Sequence, residues 1–228
     1  MFLQLPEAYV GLGLYQGINL PFWIGFLVLL VISAILFFKE GSKMEMKSQK
    51  MMNYGYGVFL VFFALLRVFF MCGIYFADLC LDCYDFYTNL GYISGIIGVI
   101  FLLYVLETYM VPKTKKIFLI ISVVAFAFCI IVLFTPAGRE LALEVIYYLM
   151  PVSVGFIVIL YFYIYAKTTG VVRKKAKWIL IGLVIIIIGH MMDTQFFIGA
   201  FPEIPLFLSP IIMSIGVLVF LISQFKIK

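Results

Sequence analysis

Three ionisable side chains stand inside long apolar runs, where each is costly and therefore informative. Arg67 lies in Ala64-Leu65-Leu66-Arg67, and His190 follows Gly189, with Asp193 three residues further on. A spacing of three puts His190 and Asp193 on one helix face, about 4.5 Å apart along its axis. Thr194 and Gln195 continue the polar stretch. Two chemistries suit this set. In one, Arg67 and Asp193 form an ion pair that locks two helices, with His190 a neutral hydrogen-bonding neighbour. In the other, Arg67, His190, Asp193 and Gln195 line a cavity reached from outside. There Arg67 would meet an anionic ligand group, or His190 would take up a proton.

Glu107 stands apart in Leu106-Glu107-Thr108-Tyr109. Its position near a helix end suits a partner for Lys113 and Lys115, or a switch contact at the inner mouth of a bundle. Cys80-Leu81-Asp82-Cys83 has the spacing of a thiol–disulfide motif. Asp82 and Asp85 disfavour its thiolate. The remaining cysteines, Cys72 and Cys129, fall within apolar runs and offer no relay pair. Cys80 and Cys83 are expected to form a loop disulfide or to remain plain thiols. A zinc site would need two more ligands, and the chain has one His. No catalytic residue, metal or cofactor is expected, and no enzymatic activity. The last apolar run contains no Lys, so a retinal Schiff base of the opsin kind is excluded.

The elements that must hold these residues are membrane helices. Of 228 residues, 66% are hydrophobic and 12% charged, against about 25% charged in soluble domains. No soluble core of this size hides so much apolar surface. Seven stretches reach the length of about 20 residues that a transmembrane helix needs: 20–38, 54–76, 87–110, 116–134, 145–166, 178–200 and 205–225. They leave no room for a folded extramembrane domain, so residues 1–228 form a single transmembrane domain. The expected fold is an all-α integral membrane protein, a seven-transmembrane-helix bundle.

Charge then orients the bundle. Of 16 Lys and Arg, 14 lie in the loops after the first, third and fifth stretches and at the C-terminus; Arg67 and Arg139 are the exceptions. The positive-inside rule places those loops in the cytoplasm. The N-terminus is expected outside and the C-terminus inside, in a multi-pass cell-membrane protein. The net charge of +5 reads as topology and as attraction to anionic lipid headgroups, not as a nucleic-acid footprint.

Small residues predict close packing. Gly91 and Gly95, then Ser94 and Gly98, are spaced by four, and Gly182 and Gly189 share a face of the sixth stretch. Such faces serve packing within the bundle or a homo-oligomer. Pro151 and Pro210 predict kinks. Setting 90–103 against 208–221 matches Leu90, Ile93, Ile97, Gly98, Val99 and Leu103 with identical residues. That hints at a three-plus-one-plus-three repeat.

Several short motifs together carry a likeness: Leu66-Arg67, Glu107 followed by Lys113–Lys116, the Arg173–Lys177 run entering Trp178, Gly189-His190-x-x-Asp193, and Ser209-Pro210 with Gly216. The chain resembles the seven-helix membrane modules of archaeal and bacterial sensor histidine kinases. It carries no kinase or cyclase output domain within its 228 residues, so that resemblance implies signalling through a separate cytoplasmic partner. The expected function is a receptor-like or sensory membrane protein. The alternatives are a small-solute or proton-coupled transporter, or an accessory subunit of a membrane complex. Seven-span sugar transporters with a three-plus-one-plus-three plan carry paired helix prolines that are missing here.

Overall fold

The computed structural model describes residues 17–76, 81–133 and 139–225, the side chains of 76, 81–83, 85, 132–133, 139–144, 147 and 195–196 apart. Every regular element among them is a helix: α1 Leu20–Lys43, α2 Lys47–Phe76, α3 Leu81–Tyr109, α4 Ile117–Leu133, α5 Arg139–Lys167, α6 Gly170–Met192, α7 Gln195–Ala200 and α8 Leu208–Phe225. Single 3-10 turns precede α1 (Gly17–Asn19) and follow α3 (Pro112–Thr114). Cys80 lies outside the described residues, and so does the side chain of Cys83, which leaves the expected disulfide outside the description.

Six of these helices are long and apolar enough to cross a membrane. Their outer faces are apolar too: Val31, Ile35, Val61, Phe162, Ile188 and Ile222 are all exposed. A belt of that kind is stable only against lipid. The protein is a multi-pass helical membrane protein. The fourth expected span, 116–134, is the short helix α4 of 17 residues. Its expected first residue is taken up by a turn instead, since Lys115 and Lys116 both have positive φ, 51° and 61°.

Other boundaries shift for visible reasons. Most helices run past their apolar cores into charged ends, as α2 does from Lys47. The expected span 178–200 is broken instead of continuous. Asp193 leaves helical geometry at φ −99°, ψ 6°, and Thr194 caps the separate helix α7 by accepting from Phe197 N at 3.4 Å. Pro151 lies inside α5 as expected. Pro210 does not interrupt its helix. It sits in the first turn of α8, where its missing N–H has no helical acceptor to lose.

Helix packing closes a ring. α1 packs on α2, α2 on α3, α3 on α5, α5 on α6, α6 on α8, and α8 back on α1, while α4 lies outside against α3 and α5. Moving each helix to its counterpart (α1 to α5, α2 to α6, α3 to α8) maps this ring onto itself. The contact register repeats as well. In the first half, added Cβ atoms at Gly98 and Gly91 would stand 3.5 and 3.3 Å from the carbonyls of Phe59 and Leu66. In the second, one at Gly216 would stand 2.8 Å from the Gly182 carbonyl, and the Ser209 hydroxyl donates to the Gly189 carbonyl at 2.8 Å. One shift of 118 positions takes Gly91 to Ser209 and Gly98 to Gly216. One shift of 123 takes Phe59 to Gly182, Leu66 to Gly189 and Arg67 to His190. The 118-position shift is the one that aligns the six identical residues. The expected small-residue faces are thus spent within the bundle, on α2–α3 and α6–α8.

Aromatic rings pack into the interior among Leu, Ile and Val side chains. Towards the lysine-rich end, Tyr56 packs edge-on to Phe220 at 4.9 Å between centroids and against Phe37 at 5.2 Å. Its hydroxyl bonds that of Tyr161, tying α2 to α5. Towards the other end, Phe26 meets Phe63 edge-on at 5.9 Å.

The α6–α8 crossing sets a steep local test. Gly216→Leu should lower stability by about 1–3 kcal/mol through overpacking against backbone, read as an earlier thermal transition in detergent micelles. Gly155→Ala, where an added Cβ meets nothing within 4 Å, should leave that transition unchanged or raise it, since Ala is the better helix former.

Candidate functional site

Arg67 lies in the second half of α2 and points into the ring, fully buried. Its guanidinium meets groups from four helices. Nη1 donates to Asp193 Oδ2, making an ion pair. Nη2 donates to His190 Nδ1 and lies 3.4 Å from Met213 Sδ on α8. The guanidinium carbon stands 5.1 Å from the ring centre of Trp23 on α1 and 5.5 Å from that of Phe63 on its own helix. Both are cation–π distances, and they matter more in a desolvated site. Nε is buried with no hydrogen-bond partner.

The local chain explains why Asp193 reaches inward. It ends α6 as the C-cap, and the backbone turn there swings its carboxylate off the helix face. Asp193 is buried, 7% exposed. A carboxylate beside the carbonyl end of a helix is electrostatically misplaced, and the guanidinium compensates both. His190 occupies the last turn of α6, where a basic group is well placed. Its Nδ1 lies 3.3 Å from Asp193 Oδ1, and its side chain remains 32% exposed while that of Asp193 is 5% exposed. An arginine N–H can only donate, so Nδ1 of His190 accepts. The imidazole is then neutral, with its proton on Nε2.

The structure therefore brings Arg67, His190 and Asp193 into one hydrogen-bonded cluster, at the end of the ring remote from the lysine-rich loops. Thr194 is spent locally, donating to the Met191 carbonyl at 2.6 Å. The side chain of Gln195 lies outside the described residues. Sequence reasoning missed Trp23, Phe63 and Met213, which complete the cluster. Their types read as core or lipid-facing residues, and the one available signal is that Trp23 follows Pro21 in the first turn of α1.

Glu107 does not take the lysine partners expected of it. It is fully buried and meets the backbone rather than the loop lysines. Its Oε2 accepts from Leu119 N at 2.7 Å and its Oε1 from Phe118 N at 3.4 Å. These are the N–H groups that an Asp or Ser N-cap would take. Lys116, the residue at the cap position of α4, has no acceptor to offer, so a carboxylate from α3 supplies it. The negative charge also suits the positive end of the α4 dipole.

Among the described residues no three His, Cys, Asp or Glu side chains stand close enough to hold a metal ion. Cys129 is buried and Cys72 half-buried, both as free thiols. No family model, curated protein or solved structure matches this chain.

Removing one partner of a buried ion pair strands the other. Asp193→Leu should therefore destabilise by about 3–5 kcal/mol, while Arg67→Leu/Asp193→Leu together should cost less than Asp193→Leu alone. A double-mutant cycle on thermal unfolding reads the coupling, and additive losses would exclude it. Glu107→Ala should cost about 0.5–2 kcal/mol as a lost cap. Hydrogen exchange at Phe118 and Leu119 should rise in that variant and stay unchanged in Lys113→Ala.

Proposed function

We propose that this chain is a receptor-like sensory protein of the cell membrane, with seven spans, an outer N-terminus and a cytoplasmic C-terminus. It performs no chemical step. A stimulus acts at the Arg67–His190–Asp193 cluster, and the lysine-rich loops hand the response to a cytoplasmic partner. The observation that carries this reading is a buried polar tie between the two halves of the ring. Arg67 belongs to the first half of the ring; His190 and Asp193 belong to the second. A change in their bonding acts directly on how the halves sit together. About 16 Å along α2, the Tyr56–Tyr161 hydrogen bond ties the halves again near the lysine-rich end. Two ties across one interface give a route from one face of the membrane to the other. The rim at that end is suited to its surface, since Lys50, Lys116 and Arg173 each stand over a tyrosine ring, Tyr54, Tyr104 and Tyr165. Such pairs sit comfortably among anionic headgroups.

A second reading, a small-solute or proton-coupled transporter, is favoured by one observation. The two halves share their packing register, with Arg67 and His190 at matching positions on their interface, and parallel repeats with a site between them are a transporter plan. Against it stands the chemistry of a groove of about 280 Å³ on the flank between α1 and α8, which Pro21, Gly25, Pro210 and other mostly apolar residues line, with Ser214 as its one polar side chain.

Proteoliposomes separate the two. The sensory protein should move no solute faster than empty vesicles. Nitroxide labels carried on non-natural residues at positions 47 and 174, on α2 and α6 at the lysine-rich end, should show a different separation in Asp193→Asn than in wild type. Solute flux together with an unchanged separation would overturn the reading.

A further inference from the structure

The signal that suits this site can be read from its hydrogen-bond roles. Each donor and acceptor around His190 is assigned by chemistry. Arg67 Nη2 can only donate, so Nδ1 must hold a lone pair. Asp193 Oδ1, 3.3 Å from that same nitrogen, can only accept, and in the neutral state it faces a lone pair. One nitrogen therefore stands between an obligate donor and an obligate acceptor. It satisfies the donor without a proton and the acceptor with one.

Among the described side chains that meet this cluster, no further titratable group stands at this level, and Glu203 in the loop before α8 is exposed. Arg67 comes from α2 and stays charged. α1 presents Trp23 and α8 presents Met213 and Ser209, none of which ionises in the ordinary range. The described α5 side chains nearest this end include Ile146, Leu149 and Met150, all apolar; Arg139, Glu140 and Glu144 at its start lie outside the described side chains. On α6 itself Asp193 is the one charged neighbour. The imidazole is also the accessible member of the cluster, its side chain 32% exposed while Arg67 is sealed.

We propose that His190 is a proton-binding site whose occupancy exchanges hydrogen bonds within the cluster. This assignment rests on the sensory reading and names the stimulus as acid. A proton from water adds to the Nδ1 lone pair. The new N–H donates to Asp193 Oδ1, and the Arg67 Nη2 bond to His190 is lost. The charge of the three side chains rises from zero to plus one. Arg67 then keeps Asp193 through Nη1 but has, for Nη2, only the thioether of Met213, and its Nε is already without a partner. A guanidinium so placed re-seats. It is stacked on Trp23 and Phe63, so the movement passes to α1 and to the α1–α8 closure of the ring.

The chain supplies its own reporters. It has one His and two Trp. Trp178 is exposed near the lysine-rich start of α6, at 44%, and Trp178→Phe leaves Trp23 as the single indole beside Arg67. Protein with ¹⁵N-labelled histidine in nanodiscs, scanned from about pH 8.5 to about pH 5, should show at the alkaline end an imidazole protonated on Nε2 alone. It should then gain the second proton on acidification. Across the same interval the Trp23 emission of the Trp178→Phe protein should shift, and His190→Gln should abolish that shift. An alkaline spectrum with the proton on Nδ1 would overturn the assignment. So would Trp23 emission that stays flat while the imidazole titrates. The wild-type spectrum needs no variant, so a His190→Gln protein that fails to fold leaves the test intact. Failure here is distinct from failure of the sensory reading. A wrong proton assignment leaves the 47–174 separation still altered in Asp193→Asn at fixed pH, whereas a wrong sensory reading leaves that separation unmoved even though the imidazole titrates.

Discussion

A guanidinium cannot be left alone in hydrocarbon. At the centre of a span it costs about 2.5–3.5 kcal/mol even on the mildest scale, and the ring of helices is arranged around meeting that demand for Arg67. Its carboxylate and imidazole partners come from α6, its aromatic face from α1 and α2, and its thioether from α8. Four of the six ring helices converge on one side chain. Tight crossings make that convergence feasible. Where Gly182 faces Gly216, the backbones of α6 and α8 come close enough that neither position has room for a Cβ. Met213 and Ser209 are thereby brought down onto the end of α6, beside the cluster.

The shared register of the two halves sets a problem at their interface. Residues at matching positions meet across it, and Arg67 matches His190. Two arginines there would repel at close range in a medium that screens poorly. The pair found instead is an obligate donor and a side chain able to accept, so equivalence of position coexists with complementarity of chemistry. Asp193 has no counterpart of its kind. The matching position in α2 is Phe70, which packs instead against Tyr92 of α3. The halves are alike in packing register and unlike in charge.

The polar cluster was legible in the sequence because ionisable residues are rare in apolar runs and because depth can be counted along a helix. Arg67, His190 and Asp193 come out at similar depth by counting alone. The ring was not legible. Membrane helices are apolar on both their buried and their lipid faces, so periodicity says little about which neighbour each face meets. The sixth span was read as continuous to Ala200 because apolar residues resume after Gln195; the capping role of Thr194 marks the break. Glu107 was misread for a related reason. Counting places it close to Lys113 and Lys115, but the tight turn at Lys115 and Lys116, both with positive φ, folds the start of α4 back onto the carboxylate.

The bond between Arg67 and Asp193 spans 126 residues of chain, and that distance has a meaning for biogenesis. A chain entering the membrane from its N-terminus places α2 in lipid long before α6 has been made. Through that interval Arg67 has none of its α6 or α8 partners, and the Leu, Val and Phe residues around it carry its insertion. The early helices are thus held in a provisional state, with an unmatched cation marking the intermediate until the sixth helix arrives. A truncated or stalled chain would keep that mark. Completion of the chain is therefore recorded in the chemistry of the bilayer interior as well as in the closing of the ring.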